Sequence, residues 1–235
     1  MKENDLKVLV VIPAYNEEAN IEKVVKSVTD YGFDYVVVND GSSDSTAEIC
    51  KRNNFNHLDL KENLGIGGAV QAGHKYAYTH GYDVDIQFDG DGQHDVGCIR
   101  LLVEQIEKGA DLVIGSRFLE PSEGFKSTFM RRVGIKWLCA SIRLASGLKV
   151  TDPTSGFRAT GLRALEYFCK DYPADYPEPE SIVAAKKAGL SISEVQVVMH
   201  ERQGGVSSIN PLASVYYMVK VTLAVFLVGL GRKRK

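Results

Sequence analysis

Val84-Asp85-Ile86-Gln87-Phe88, running directly into Asp89-Gly90-Asp91-Gly92-Gln93-His94-Asp95, is the stretch on which the reading of this chain turns. Residues 84–88 predict a strand, and the acidic, glycine-spaced turn sits at its carboxyl end, where open α/β sheets bind ligands. Asp89 and Asp91 are two residues apart, so in extended backbone both carboxylates can point to one side. Gly90 and Gly92 permit tight turns and the close approach of a ligand. Two hard carboxylates with open positions suit Mg2+ or Mn2+ held jointly with substrate phosphates. The bland alternative is a solvated acidic turn. A calcium loop fits less well, because the EF-hand spacing and its closing Glu are absent. His94 reads as a neighbour of the turn rather than a ligand.

Outward from this turn, apolar runs bounded by turn residues alternate with helix-period segments, the pattern of βαβ units. Strands are expected at 7–12, 35–39, 57–60, 84–88 and 112–116, and helices at 18–29, 43–52, 67–80 and 96–108, with Asp44 and Ser45 as N-cap material. Residues 8–12 and 35–38 are nearly continuous apolar runs, as in strands covered on both faces. The fold class is therefore α/β, a Rossmann-like, mainly parallel sheet with helices on both faces. Ile12-Pro13-Ala14-Tyr15-Asn16-Glu17-Glu18 and Val38-Asn39-Asp40-Gly41-Ser42 occupy equivalent strand-to-helix junctions, so Pro13, Tyr15, Glu17 and Asp40 should converge on the crevice that receives Asp89 and Asp91. Asp40-Gly41-Ser42 is also ordinary turn chemistry before a helix. Asn63-Leu64-Gly65-Ile66-Gly67-Gly68-Ala69 is a glycine-rich turn able to approach a nucleotide, but it is neither a P-loop nor GxGxxG.

With 235 residues, 44% hydrophobic and 25% charged, the chain has the makeup of one globular domain, not of a disordered, collagen-like or coiled-coil protein. A formal charge of −2 gives no general attraction to nucleic acid. It conceals an asymmetry: residues 1–100 carry 9 basic against 17 acidic side chains, and residues 101–235 carry 19 against 13. An acidic half suits a metal ion, and a basic half suits phosphate. Cys50, Cys98, Cys139 and Cys169 lack the spacing of a zinc site or redox dithiol and fit a reduced, cytosolic setting. The polar N-terminus reads as no secretory signal. Residues 126–148 predict a helix carrying Arg131, Arg132, Lys136, Arg143 and Trp137, which either lies on a membrane surface or packs with a solvated face. Residues 212–230 are largely apolar with a single charge, Lys220, and precede the basic tail 232–235.

The ordered set IPAYNEE, VNDGSSDST, NLGIGGAVQAG, FDGDGQHD, GSRF and DPTSGFRA resembles the family 2 glycosyltransferases of GT-A fold, in the branch similar to dolichyl-phosphate mannose synthase. The resemblance runs from about residue 8 to 208 and implies an inverting, metal-dependent transfer of a sugar from a nucleotide diphosphate donor. It implies that Pro13, Tyr15, Glu17 and Asp40 hold the nucleoside, that Gly68 approaches the donor, and that Asp89 lies by the nucleotide. Asp91 and Gln93 would ligate Mg2+ or Mn2+. Residues 200–208, HERQGGVSS, resemble the segment that closes over the diphosphate, with Arg202 on the donor and His200 on the diphosphate or metal. Arg117, Arg131 and Arg202 are candidate anion contacts, because Arg binds phosphate bidentately.

Asp152-Pro153-Thr154-Ser155-Gly156-Phe157-Arg158 resembles the acceptor-side motif, with Ser155 as a candidate contact and Asp152 either an acid-base group or a structural turn residue. Glu178 and Glu180, in Tyr176-Pro177-Glu178-Pro179-Glu180, stand where many relatives carry a catalytic carboxylate, and equally where a helix dipole favours acidic side chains. A polyprenyl phosphate acceptor is already anionic and needs no base. A hydroxyl on a lipid-linked saccharide or polysaccharide would need one. The expectation is a GT-A domain over 1–210 and an apolar helix with basic tail over 211–235, acting in cell-envelope glycan assembly at the cytosolic membrane face. There the C-terminal helix would lie in the interface or pack in a homo-oligomer, since Lys220 argues against a simple span. A non-catalytic nucleotide-sugar binder is the reading from a different class.

Overall fold

The computed structural model describes residues 6–120, 129–199 and 211–231. Seven strands form one sheet in the order β3-β2-β1-β4-β6-β5-β7. They are β1 (Val8–Ala14), β2 (Asp34–Asn39), β3 (His57–Asp59), β4 (Val84–Gln87), β5 (Leu112–Ser116), β6 (Arg158–Gly161) and β7 (Ile192–Gln196). The pairs β1–β2, β1–β4, β2–β3 and β5–β7 are parallel. β6 runs antiparallel to both β4 and β5. The five expected strands are present within one or two residues at each end.

The helices are α1 (Ile21–Asp30), α2 (Thr46–Arg52), α3 (Gly65–Thr79), α4 (Ile99–Glu107), α5 (Phe129–Ser146), α6 (Leu162–Lys170), α7 (Pro177–Lys187) and α8 (Pro211–Leu230). On one face of the sheet, Ile21, Val24, Val25 and Val28 of α1 pack with Ile99 and Leu102 of α4 against Val10, Ile12 and Ile86. On the other, Ala69 and Ala77 of α3 and Leu165 of α6 cover Leu9, Val11, Val36 and Val38. Alternate residues of β1 thus feed two separate cores, which is why that strand reads as one apolar run. Beyond β5, Leu138 and Ile142 of α5, Ile182 and Val183 of α7, and Val221 and Val225 of α8 make a third cluster. α8 is fastened there by Trp137 Nε1 donating to Thr222 Oγ1 at 3.0 Å, and by Lys187 Nζ donating to the carbonyls of Val228, Gly229 and Gly231.

All four expected helix starts shift: α2 begins at Thr46 and not at 43, α3 at Gly65 and not at 67, and α1 and α4 each begin three residues late. Asn16 adopts φ 57°, and a turn then occupies the positions before Ile21, so α1 begins three residues late. Asp95 accepts the Gly97 N–H at 2.8 Å and caps a 3-10 turn over Val96–Cys98, from which α4 follows. The sequence reading missed β6, α6 and β7. β6 reads Arg-Ala-Thr-Gly, with polar side chains alternating inside the sheet, and β7 is a half-buried edge strand.

α3 approaches β1 so closely that a Cβ built on Gly73 would collide with the Val11 side chain. Gly73→Ala should therefore destabilise the fold by about 1–3 kcal/mol through overpacking. In the Gly73→Ala/Val11→Ala double variant the two costs should fall short of additivity in denaturant titration, because one substitution makes room for the other.

Candidate active site

The loops after β1 and β2 are stitched together by one side chain. Asn16 N–H donates to Ser42 Oγ at 3.0 Å, and Asn16 Oδ1 accepts the N–H groups of Ser43 at 2.9 Å and Asp44 at 3.3 Å. Glu17 N–H donates to Thr46 Oγ1 at 2.9 Å, and Glu18 N–H to Asp44 Oδ2 at 3.1 Å. Asp40 N–H reaches back to the Ala14 carbonyl at 2.9 Å. Asp40 is buried, and its Oδ1 accepts the Leu64 N–H at 2.7 Å, which draws in the loop before α3. Tyr15 stands 51% exposed and Leu64 56% exposed on either side of this arrangement. Pro13 is buried, its carbonyl 3.1 Å from where a Cβ on Gly90 would lie. Pro13, Tyr15, Glu17, Asp40 and the Asp89–Asp91 turn therefore share the carboxyl edge of β1, β2 and β4, as expected. Gly68 lies in the first turn of α3, next to Gly67, whose added Cβ would collide with the carbonyls of Pro173 and Ala174.

His94 shapes the acidic turn from within. Its Nδ1 accepts the Asp89 N–H at 3.2 Å, its Nε2 lies 3.5 Å from Asp89 Oδ2, and its ring stacks on Phe157 at 4.7 Å and meets Phe88 edge-on at 5.3 Å. Burial pushes its pKa down to about 4, so the imidazole is neutral near pH 7 and Nδ1 keeps the lone pair that accepts the amide. Asp91 Oδ1 accepts the Gln93 N–H at 3.0 Å, which closes one tight bend carrying both side chains. Asp89, Asp91 and Gln93 are all partly exposed.

Among the described residues no group of three or more His, Cys, Asp or Glu is gathered to hold a metal. A carboxylate and an amide carbonyl from a single bend fit Mg2+ or Mn2+, which keep waters and take substrate phosphate oxygens for the rest of their coordination. His200 and Arg202 lie outside the described residues, as does the side chain of Arg131 on α5.

The acceptor-side motif is held by charge. Arg117 Nε donates to Asp152 Oδ2 at 2.6 Å and Nη2 to Asp152 Oδ1 at 2.7 Å and Thr154 Oγ1 at 2.9 Å, with Arg117 and Asp152 both buried. Of the two roles open to Asp152, this geometry gives it the structural one. Arg117, expected to meet phosphate, commits two of its nitrogens to that carboxylate. Glu194 on β7 accepts the N–H groups of Thr151 at 2.9 Å and Asp152 at 3.1 Å, which fixes the turn from the sheet edge. Ser155 is buried and its Oγ accepts the Phe157 N–H at 3.3 Å, so its hydroxyl is turned inward.

The two glutamates part company. Glu178 is partly buried; burial raises its carboxyl pKa, the nearby Arg158 charge works against that rise, and Asp89 adds to it. Burial also raises the pKa of Glu180, but its charged neighbour is Asp175. Glu178 thus shares the surroundings of Asp89, and Glu180 does not. Asn16, Gly156 and Arg158 were not singled out from the sequence. A Cβ built on Gly156 would stand 2.8 Å from Asp89 Oδ2 and 3.0 Å from Gln87 Nε2, so the turn 152–157 lies directly against the Asp89 carboxylate. The one signal for Asn16 was an Asn placed just past a strand, where a left-handed residue often sits.

The family described as "Glycosyl transferase family 2" matches residues 9–168. A UDP-N-acetylglucosamine–dolichyl-phosphate N-acetylglucosaminyltransferase of Methanococcus voltae is 34% identical over 214 residues, covering 82% of this chain and 85% of that protein. A polyprenol monophosphomannose synthase of Mycolicibacterium smegmatis is 28% identical, covering 87% of this chain and 81% of that protein. Among solved structures, glucosyl-3-phosphoglycerate synthase from Mycobacterium tuberculosis in complex with Mn2+, UDP and glucosyl-3-phosphoglycerate superposes with TM-score 0.71 at 21% identity, over 98% of this chain and 82% of that one. That likeness establishes the GT-A-like architecture, and the family match, spanning more than half of the chain, establishes the rest: the protein belongs to the family 2 glycosyltransferases.

Proposed function

We propose that this glycosyltransferase moves a sugar with inversion from a nucleoside diphosphate to a polyprenyl phosphate at a membrane surface. The observation that carries the reading is the gathering of Asp40, Tyr15 and the Asp89–Gln93 turn on one sheet edge, with the acceptor turn of Gly156 packed against Asp89. Tyr15 offers its ring to the base, Asp40 and Glu17 accept hydrogen bonds from base and ribose, and Gly68 lets the backbone come close to the donor. Asp91 and Gln93 would hold Mg2+ or Mn2+, which supplies Lewis-acid stabilisation of the charge that grows on the departing diphosphate. Arg117, Arg131 and Ser155 belong to the acceptor side, and Arg202 and His200 to the segment closing over the diphosphate. The dolichyl-phosphate and polyprenol names of two relatives support the acceptor class.

A prenyl phosphate brings its own anionic oxygen, so positioning matters more than a base. The second reading, a hydroxyl acceptor, is favoured by the raised pKa of Glu178, since a general base works best with a pKa near the operating pH. Radiolabelled transfer to undecaprenyl phosphate with Mn2+ separates the two. Glu178→Gln should keep its turnover with that acceptor within a fewfold of wild type, whereas a loss of about 100-fold, the upper range of general-base effects, would favour the base. Gly156→Ala should displace the Asp89 carboxylate. Transfer should fall about 100-fold, as for a misplacement near 1 Å, and nucleotide-dependent thermal stabilisation should weaken with it.

Among the described residues no helix is long and apolar enough to cross a membrane. The adjacent helices α5 and α8 each expose an apolar stripe, Met130, Trp137 and Leu144 on one and Leu223, Leu227 and Leu230 on the other, with Arg132, Lys136, Arg143 and Lys220 also at the surface. Such a face suits the interface of an anionic bilayer, with each basic side chain worth about 1 kcal/mol near the surface. The cytosolic leaflet, rich in anionic lipid, is the side it fits. In flotation assays with phosphatidylglycerol vesicles, Leu223→Glu/Leu227→Glu should lose binding at least tenfold and keep full transfer to a short, water-soluble prenyl phosphate.

A further inference from the structure

Arg158 is the least exposed kind of cation, a guanidinium inside the sheet layer. Its residue on β6 is paired with Gln87 of β4 and Ile114 of β5, and it is 3% exposed. Asp89, Asp152 and Glu178 surround it electrostatically, and Tyr172 is also near, yet among the described residues none of these carboxylates pairs with it directly. Its donors go to neutral oxygens: Nε to the Ser155 carbonyl at 2.8 Å, Nη2 to the Pro153 carbonyl at 3.3 Å, and Nη1 to Ser181 Oγ at 2.7 Å. Ser181 Oγ in turn donates to the Glu178 carbonyl at 3.2 Å. One planar fork therefore ties the backbone of the acceptor turn on two carbonyls to the first turns of α7. The same turn contains Gly156, which touches Asp89.

A buried charge without a direct counter-ion is costly to keep for packing alone. A Met of similar length would fill the space. What a Met or Lys lacks is the fixed geometry that reaches three acceptors at once. We propose that Arg158 is a positioning residue, which sets the acceptor turn 153–156 at a fixed distance from Asp89 and from the Glu178 end of α7. The inference rests on the reading of that turn as the acceptor side. Loss of the Arg158 bonds loosens the turn without driving a Cβ into the Asp89 carboxylate, as Gly156→Ala would, so its effect falls on the transfer step and not on donor capture by Tyr15, Asp40, Asp91 and Gln93, which stand on other loops.

Arg158→Lys and Arg158→Gln test this in the full-length protein, beside Ser181→Ala as a mild variant that removes one of the three bonds. The first measurement is hydrogen exchange of the amides in residues 152–157 and 178–181, which requires no acceptor. Exchange there should rise in all three variants, with the helices α1 and α4 unchanged; unaltered exchange would overturn the proposal whether or not the acceptor is a prenyl phosphate. The second is steady-state transfer from the nucleotide sugar to undecaprenyl phosphate. We expect kcat to fall about 100-fold in Arg158→Lys and Arg158→Gln, and less in Ser181→Ala, with the donor KM within threefold of wild type. Full rescue by Lys would show that charge alone suffices, and equal losses in donor binding and kcat would reduce Arg158 to a fold residue; either result overturns the proposal. Absence of transfer in the wild type itself would instead count against the acceptor reading, leaving the exchange result to decide on Arg158. Should Arg158→Gln fail to fold, Ser181→Ala carries the same comparison.

Discussion

A neutral imidazole holding one backbone amide organises this protein. His94 Nδ1 takes the Asp89 N–H at the point where β4 leaves the sheet, so the chain bends into the Asp89–Gln93 turn and does not continue as a strand. The ring can do this only because it is dry. Between Phe88 and Phe157 it is fully buried, burial disfavours its charged form, and the lone pair stays available to the amide. The same sandwich brings Phe157, and with it Gly156, up against Asp89. The Asp89–Gln93 turn and the turn before β6 are thereby built around a common aromatic stack.

The turn before β6 is anchored differently, by a buried ion pair. Removing one partner of Arg117–Asp152 would leave an uncompensated charge at a cost of about 3–5 kcal/mol, whereas the pair itself contributes little net stability over an apolar replacement. What it contributes is geometry. Two nitrogens of a planar guanidinium meet two oxygens, and Glu194 meets the amides on the other side of the turn, so the residues 151–154 have one arrangement. A hydrophobic pair would have filled this volume without fixing it.

The residues legible in the sequence were those whose pattern is local. Residues 8–12 alternate between two apolar cores and read at once as a buried parallel strand, and the Asp-Gly-Asp-Gly turn advertises itself by composition. β6 was hidden for a physical reason. On one face of β4 lie Val84, Ile86 and Phe88, in the apolar core with α1 and α4. On the other lie Asp85, Gln87 and Asp89, and β6 lays Thr160 opposite Asp85 and Arg158 opposite Gln87. This polar stripe, in which His74 Nδ1 meets Asp85 Oδ2 at 2.5 Å, is buried by pairing with β6 from a distant part of the chain, and among the described residues Asp85 Oδ1, Gln87 Nε2 and His74 Nε2 have no hydrogen-bond partner. No window of sequence contains both sides of it. Gly156 and Arg158 belong to that same stripe, and their meaning depends on what faces them, not on their neighbours in sequence. The choice between Glu178 and Glu180 was unreadable for a similar reason: both sit in the first turn of α7, and only the rotation of that helix against β6 separates them.

The uneven charge of the two halves follows from this division of labour. The first hundred residues place their strand ends on one edge, where Asp40, Asp89 and Asp91 gather negative charge that a cation would offset. The remaining residues add β5 to β7 and the helices α5 and α8, whose exposed surfaces carry Arg132, Lys136, Arg143 and Lys220 beside apolar side chains. A donor that arrives as a metal–diphosphate complex would be drawn to the first region through its cation, and an amphiphilic anion would be drawn to the second. The two halves of the chain meet where the Gly156 turn packs against Asp89, so closely that a Cβ on Gly156 would stand 2.8 Å from Asp89 Oδ2. Arg117 and Arg158 hold that turn from two sides of the sequence motif, Arg117 through the Asp152 carboxylate and Arg158 through the Ser155 and Pro153 carbonyls, so its position against Asp89 is set by the fixed geometry of two guanidinium groups.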